Sequence, residues 1–335
     1  MKYKVIILIL FVVLSIHFAN ECIAQNRTVK SYEGKDPFVE QWYLSTGEKD
    51  APSLYVYEIG RGEPVVALHG GPGIGHNYLT DITKGLENQF RFIFYDQRGA
   101  GLSYSYSKDA ITMEKNVEDV ESLRKALELE QINLISHSAG TYLAMEYLRK
   151  YPQNVKNLVL LGATDPKNGD RKFFTDEEWE GFKLQAEEAE NFRERPAVKV
   201  EIEKAGLNKS NLTPKEEFQL RRIKSAGGTI YHIERWRQFR FFYVSRDAAL
   251  GARVGMNFVY DWSELLASHP FPVTVINGVQ DIQVGRMGSP IWKRVAATEA
   301  KNVKLVLIDK AGHNSWMDEP VIFRNALRDA LTRKK

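Results

Sequence analysis

A chain of 335 residues that is 43% hydrophobic and 27% charged has an ordinary globular composition, long enough for one large core with an inserted subdomain. Its net charge of +3 is too small for that length to argue for a nucleic-acid partner or an anionic surface, and Lys and Arg are scattered up to the terminal Arg333-Lys334-Lys335. A single cysteine, Cys22, excludes a disulfide framework and a thiolate metal site.

At the N-terminus, Lys2 and Lys4 form a positive start, and residues 5–16 are almost unbroken apolar. Cys22-Ile23-Ala24 then sets small residues where a signal peptidase cuts, before Gln25. The apolar stretch falls short of the roughly 20 residues needed to span a bilayer. The expectation is a signal peptide over 1–24 and an exported protein, periplasmic or secreted, with no membrane contact after cleavage. Lipid anchoring at Cys22 is disfavoured by Glu21, which stands where a small residue is expected.

Apolar runs of strand length follow at 52–60, 64–70, 90–96, 132–138, 155–162, 271–278 and 303–309. The first alternates as an edge hairpin strand would, and the others read as buried. Between the third and fourth, Val117, Val120, Leu123 and Leu127 recur at helical spacing, and a last amphipathic helix runs through Phe323, Leu327 and Leu331. Strands alternating with helices predict an α/β fold with a mostly parallel sheet. The stretch 164–269 differs. It is highly charged and helical in pattern, with capping-box sequences at Thr175 to Glu178 and Thr213 to Glu216. It predicts a helical cap inserted between two parts of one core, 25–163 and 270–335.

Chemistry concentrates at the ends of the predicted strands. Residues 65–79 read VVALHGGPGIGHNYL, a buried strand running into His69 and then Gly70, Gly71, Pro72 and Gly73. No Lys-Ser or Lys-Thr pair follows, so this is no phosphate loop, and a dinucleotide fingerprint would carry no proline in the turn. What remains is a loop whose backbone must come close to something. Ser136-His137-Ser138-Ala139-Gly140, between a strand and a helix, has the small residues of a nucleophile elbow, with Ser136 where glycine is more usual. A serine needs a base, and the base needs an acid to orient it. His313, in DKAGHNSW, lies just past the last strand, where an open parallel sheet gathers its site. Asp281, three residues past its strand, is the candidate acid, with Asp165 as its rival. The chain order Ser138, Asp281, His313 favours Asp281. Asp96, followed by Gln97-Arg98-Gly99, reads instead as the tie of a loop through Arg98.

HGGPG (69–73), YDQRGAGLS (95–103), the serine elbow, NGVQD and AGHNSW together resemble the prolyl iminopeptidase-like branch of the α/β-hydrolase superfamily, over roughly residues 35–163 and 270–333. The resemblance implies an α/β-hydrolase fold, with the N–H groups of Gly71 and Ala139 forming an oxyanion hole. Glycine is needed there because a β-carbon would hold the backbone off the developing charge. It implies a serine hydrolase that needs neither metal nor cofactor and takes a small peptide or acyl substrate. The first expected activity is release of an N-terminal proline or similar residue. The alternatives are an esterase or lactonase, and an inactive binding protein of the same fold. Related dehalogenases and epoxide hydrolases use an aspartate nucleophile, which Ser138 disfavours. True members of the branch hold the substrate amine with cap carboxylates in a Glu-Asn-His-Tyr-Phe-like segment. The corresponding 229–247 lacks that run, leaving Glu234 as the candidate amine-binding group, with Trp236, Phe239, Phe241 and Phe242 as candidate pocket walls or cap core.

Overall fold

One sheet of nine strands organises the chain, a computed structural model that describes residues 27–29, 38–46, 53–103, 108–240, 244–284 and 290–334. The expected signal peptide with Cys22, and Phe241 and Phe242, lie outside the described residues. In chain order the first seven strands are β1 (Arg27–Val29), β2 (Val39–Ser45), β3 (Ser53–Gly60), β4 (Glu63–Leu68), β5 (Phe90–Tyr95), β6 (Ile132–His137) and β7 (Val155–Leu161). A two-residue pair follows, β8 (Lys167–Asn168) with β9 (Tyr260–Asp261), and then β10 (Val273–Gly278) and β11 (Val303–Ile308). The main sheet runs β1-β2-β3-β5-β4-β6-β7-β10-β11. Its first three neighbouring pairs are antiparallel, and the five from β5/β4 to β10/β11 are parallel.

The parallel strands read as unbroken apolar runs because both faces are covered. Side chains alternate across a strand, so Val66 and Leu68 join one core while Val65 and Ala67 join the other. The first core packs helices α1 (Met113–Ala126) and α2 (Gly140–Lys150) on the sheet, and the second packs the C-terminal helix through Phe323, Leu327 and Leu331. One strand expectation is corrected. The 52–60 strand is not an edge, because β2 pairs along its whole outer side and β1 pairs beyond that. Its alternate residues pack on opposite cores, Leu54 and Val56 on the first and Tyr57 and Ile59 on the second.

Between β7 and β10 the chain builds helices α3 (Asp176–Asn191), α4 (Pro196–Lys204) and α5 (Pro214–Ala226). Both capping boxes form, at Thr175 with Glu178 and at Thr213 with Glu216. The antiparallel β8/β9 pair closes the base of this segment, and Val198, Ile223, Ile230, Trp236 and Phe239 give it a core of its own. Residues 229–247 are not one helix. Their described residues hold one 3-10 turn, Ile233–Arg235, before the short helix α6 (Arg246–Gly251) begins.

Candidate active site

Ser138 follows β6 directly and stands at φ +54°, a left-handed conformation that a non-glycine residue adopts only when its surroundings enforce it. Its N–H donates to the Leu161 carbonyl of β7 at 3.0 Å, and its carbonyl accepts from the Thr141 N–H at 2.9 Å, which starts α2. The neighbouring glycines are needed for space. A β-carbon on Gly70 would lie 2.6 Å from both Ser138 Cβ and the His137 carbonyl oxygen. One on Gly140 would lie 2.8 Å from the His69 carbonyl oxygen. The crowding that demands small residues around the serine therefore comes from the backbone of residues 69–70.

His313 and Asp281 meet from neighbouring strand ends. His313 Nδ1 lies 2.8 Å from Asp281 Oδ2, with the histidine 3% and the aspartate 0% exposed. The second carboxylate oxygen, Oδ1, accepts from the backbone N–H groups of Gln283 at 2.8 Å and Val284 at 3.2 Å. Oδ1 is thus fixed by two donors, which leaves Oδ2 as the acceptor for an Nδ1–H of His313. Gly162, at φ +47°, leaves room for the ring, since a β-carbon there would lie 3.0 Å from His313 Nδ1. Asp165, the rival acid, contributes its backbone carbonyl to the Tyr260 hydroxyl at 3.2 Å.

The glycine loop is braced from beneath. His69 Nδ1 donates to the Gly70 carbonyl at 2.9 Å, and its Nε2 accepts from the Gln97 N–H at 3.0 Å. Burial holds the His69 imidazole below its usual value, which agrees with a neutral ring. Gly71 turns at φ +51°, and Ala139 caps the first turn of α2. Among the described residues neither the Gly71 nor the Ala139 N–H has an acceptor. Two free amides flanking the elbow, one at a helix N-terminus, are donors waiting for an oxygen. Asp96 ties the following loop by its own carboxylate, accepting from the His76 ring and N–H and from the Leu102 N–H, each at 2.7 Å. Arg98 pairs instead with Asp119 of α1, at 2.6 Å.

One element had no signal in the sequence. The Gly70 N–H donates to Tyr78 Oη at 2.7 Å, and Tyr78 lies 2.7 Å from His137 Nδ1. His137 Nε2 in turn lies 3.3 Å from the His313 carbonyl. That carbonyl can only accept, so His137 carries its proton on Nε2 and at Nδ1 accepts a hydrogen bond from the Tyr78 hydroxyl. Burial first, and the nearby His313 second, hold the His137 ring well below the usual imidazole range. A neutral buried chain thus links the glycine loop, the elbow and the histidine loop.

Gly71, Pro72, Tyr78, Ser138, Gln283 and His313 line one cavity of about 270 Å³, with Thr229 and Val244 lining it from the cap. Glu234 and Trp236 do not line it, which corrects their assignment to substrate. The Glu234 side chain is 57% exposed and lies 3.1 Å from His232 Nδ1, while Trp236 is 1% exposed within the cap's own core. The cause lies far along the chain, because residues 228–232 are pinned to the core. Asp318, 1% exposed, does the pinning, accepting from the N–H groups of Tyr231 at 2.9 Å, His232 at 2.9 Å and Gly312 at 2.8 Å. Burial pushes its carboxyl up, against the opposing pull of these three donors.

A profile of the alpha/beta hydrolase fold matches residues 63–320. The chain is 25% identical over 305 residues to a proline iminopeptidase of Lactobacillus delbrueckii subsp. lactis, covering 88% of this chain and 98% of that one. It is 27% identical over 223 residues to a proline iminopeptidase of Clostridium botulinum, covering 64% of this chain and 73% of that one. Among solved structures, a proline iminopeptidase-related protein from Thermus thermophilus superposes with a TM-score of 0.59 at 26% identity, over 88% of this chain and 97% of its own. A thermophilic esterase from Thermogutta terrifontis superposes with a TM-score of 0.57 at 22% identity, over 86% and 97%.

Proposed function

The chain belongs to the alpha/beta hydrolase fold family, and on that premise we propose that it is a serine hydrolase with Ser138 as nucleophile, His313 as general base and then acid, and Asp281 as its orienter. The observation that carries the reading is the left-handed Ser138 sharing one cavity with a His313 whose Nδ1 is bonded to a doubly anchored Asp281. His313 Nε2 takes the Ser138 proton as Oγ attacks the acyl carbon. Asp281 stabilises the imidazolium that forms, and the same proton passes to the leaving group. The free amides of Gly71 and Ala139 serve the oxyanion, where preorganised donors are worth most.

Release of an N-terminal proline or similar residue from short peptides is the first activity, supported by relatives named proline iminopeptidase along most of the chain. Hydrolysis of a small neutral ester is the second. It is favoured by a cavity with no carboxylate among its described lining residues. A fluorophosphonate probe tests the chemistry. It should label the protein stoichiometrically, and Ser138→Ala should abolish labelling. Labelling that survives that substitution, or never occurs, refutes the reading and favours an inactive binding protein. A panel of prolyl amides and small acyl esters separates the two activities. Export through residues 1–24 belongs to the same proposal, and the mass of the mature protein tests it by showing whether the chain starts at Gln25.

A further inference from the structure

Among the polar side chains that line the cavity and that the catalytic machinery leaves unused is Gln283, two residues past the triad acid. Its backbone N–H is fixed by Asp281 Oδ1 at 2.8 Å. Its side-chain Nε2 donates to the Gly228 carbonyl of the cap at 2.7 Å. A carbonyl only accepts, so this bond decides which end of the amide is nitrogen and leaves Oε1 as an acceptor held in place. Among the described residues nothing donates to Oε1, and it is not one of the polar atoms sealed away from solvent. The group is locked at one end and open at the other. The cavity volume of about 270 Å³ lies at the small end for ligand pockets, suited to a compact acyl group.

We propose that Gln283 is the specificity-determining residue of this pocket, its Oε1 accepting a hydrogen bond from the α-amine of an aminoacyl substrate whose carbonyl sits at Ser138. This rests on the serine-hydrolase reading and names the substrate class within it: acyl donors that carry an N–H beside the scissile carbonyl. With Glu234 turned away, no carboxylate among the described lining residues meets that amine. An amide oxygen takes its place, recognising the N–H by geometry and lone pair without a counter-charge. The same amide ties the acid loop to the cap turn, so the acceptor is positioned by the two parts of the chain that enclose the substrate.

The test compares two substrates that differ only at that atom, proline methyl ester and methyl cyclopentanecarboxylate, with hydrolysis followed by pH-stat. A hydrogen bond to a charged donor corresponds to a preference of about 10- to 100-fold in kcat/KM for the proline ester. Gln283→Met keeps the side-chain length and removes the acceptor, and should bring the ratio of the two close to one. The ratio is the readout, so any loss shared by both substrates through the missing Gly228 bond cancels. A second measurement needs no variant. Prolinol should inhibit wild-type hydrolysis of p-nitrophenyl acetate about tenfold more tightly than cyclopentanemethanol. Equal use of the two esters by the wild type, equal inhibition by the two alcohols, or a preference that survives in Gln283→Met overturns the inference and leaves the hydrolase reading standing. Failure to cleave either ester, with no labelling of Ser138, overturns both.

Discussion

Replacing Asp281 by Asn changes one oxygen for an NH₂ group, and its surroundings dictate which way that group must face. The carboxylate sits between two backbone N–H donors, of Gln283 and Val284, on one side and His313 Nδ1 on the other. Both backbone groups can only donate, so the oxygen of the new amide must stay with them and its NH₂ must turn to the imidazole. Nδ1 then has to accept, which moves the ring proton to Nε2, and Nε2–H cannot take the Ser138 proton. We predict that turnover falls by about 10⁴, as it does when a serine-protease triad is trapped in the wrong tautomer. That corresponds to about 5.4 kcal/mol of transition-state stabilisation, at about 1.36 kcal/mol per factor of ten. The change in stability is far smaller, because one buried hydrogen bond is exchanged for another at a net cost of about 1 kcal/mol. The assay is the rate of fluorophosphonate labelling at Ser138 with the melting temperature measured alongside. A folded Asp281→Asn protein that labels within tenfold of wild type refutes the reasoning. If Asp165→Asn collapses at the same time, the acid belongs to the neighbouring strand.

Two further outcomes follow from distances already described. Gly70→Ala places a methyl group 2.6 Å from both Ser138 Cβ and the His137 carbonyl, so we predict that the elbow is displaced and labelling at Ser138 slows by at least tenfold, about 1.4 kcal/mol; wild-type labelling would falsify the close-packed arrangement. His137→Gln tests the buried neutral ring through the pH dependence of stability. The unfolded chain protonates His137 as pH falls through about 6.5, whereas burial keeps the folded ring neutral, so stability is present above that pH and lost below it. Between about pH 6.5 and 5, denaturant titrations of the variant should show a slope shallower by up to about 1.4 kcal/mol per pH unit, and identical slopes would mean that the folded ring protonates freely.

The site was legible wherever its information is one-dimensional. A residue that ends an apolar run in a parallel sheet lies at one edge of that sheet, and this, with the elbow pattern and the chain order, brought Ser138, Asp281 and His313 together before any distance was known. The glycine loop straight after a strand announced a close backbone approach, but it took the family resemblance to single out Gly71. The cap was not legible. Glu234 and Trp236 stood together in a helix-patterned insertion, but the path of 228–232 is set by Asp318, 86 and 87 positions from the residues it holds, and by the Gln283 bond to Gly228. Periodicity carries no record of such contacts. Tyr78 escaped for the same reason, because its partner His137 is 59 positions away and nothing near residue 78 marks it as more than core. The edge reading of 52–60 failed differently. Its alternating pattern was genuine, and the strands outside it could not be inferred from that pattern.

The Asp318 clamp has a consequence for how such a molecule can diversify. It grips the cap by the main-chain N–H groups of Tyr231 and His232, which every amino acid except proline offers. The grip is therefore indifferent to side-chain identity at those two positions while remaining strict about the route of the chain. Neighbouring residues can be exchanged, and with them whatever the enclosure prefers, without unseating the histidine loop that Asp318 also holds through Gly312. A transplanted cap from another protein faces the opposite constraint. Whatever its sequence, it must deliver two consecutive amides to one buried carboxylate, or leave that charge enclosed with two of its three donors gone.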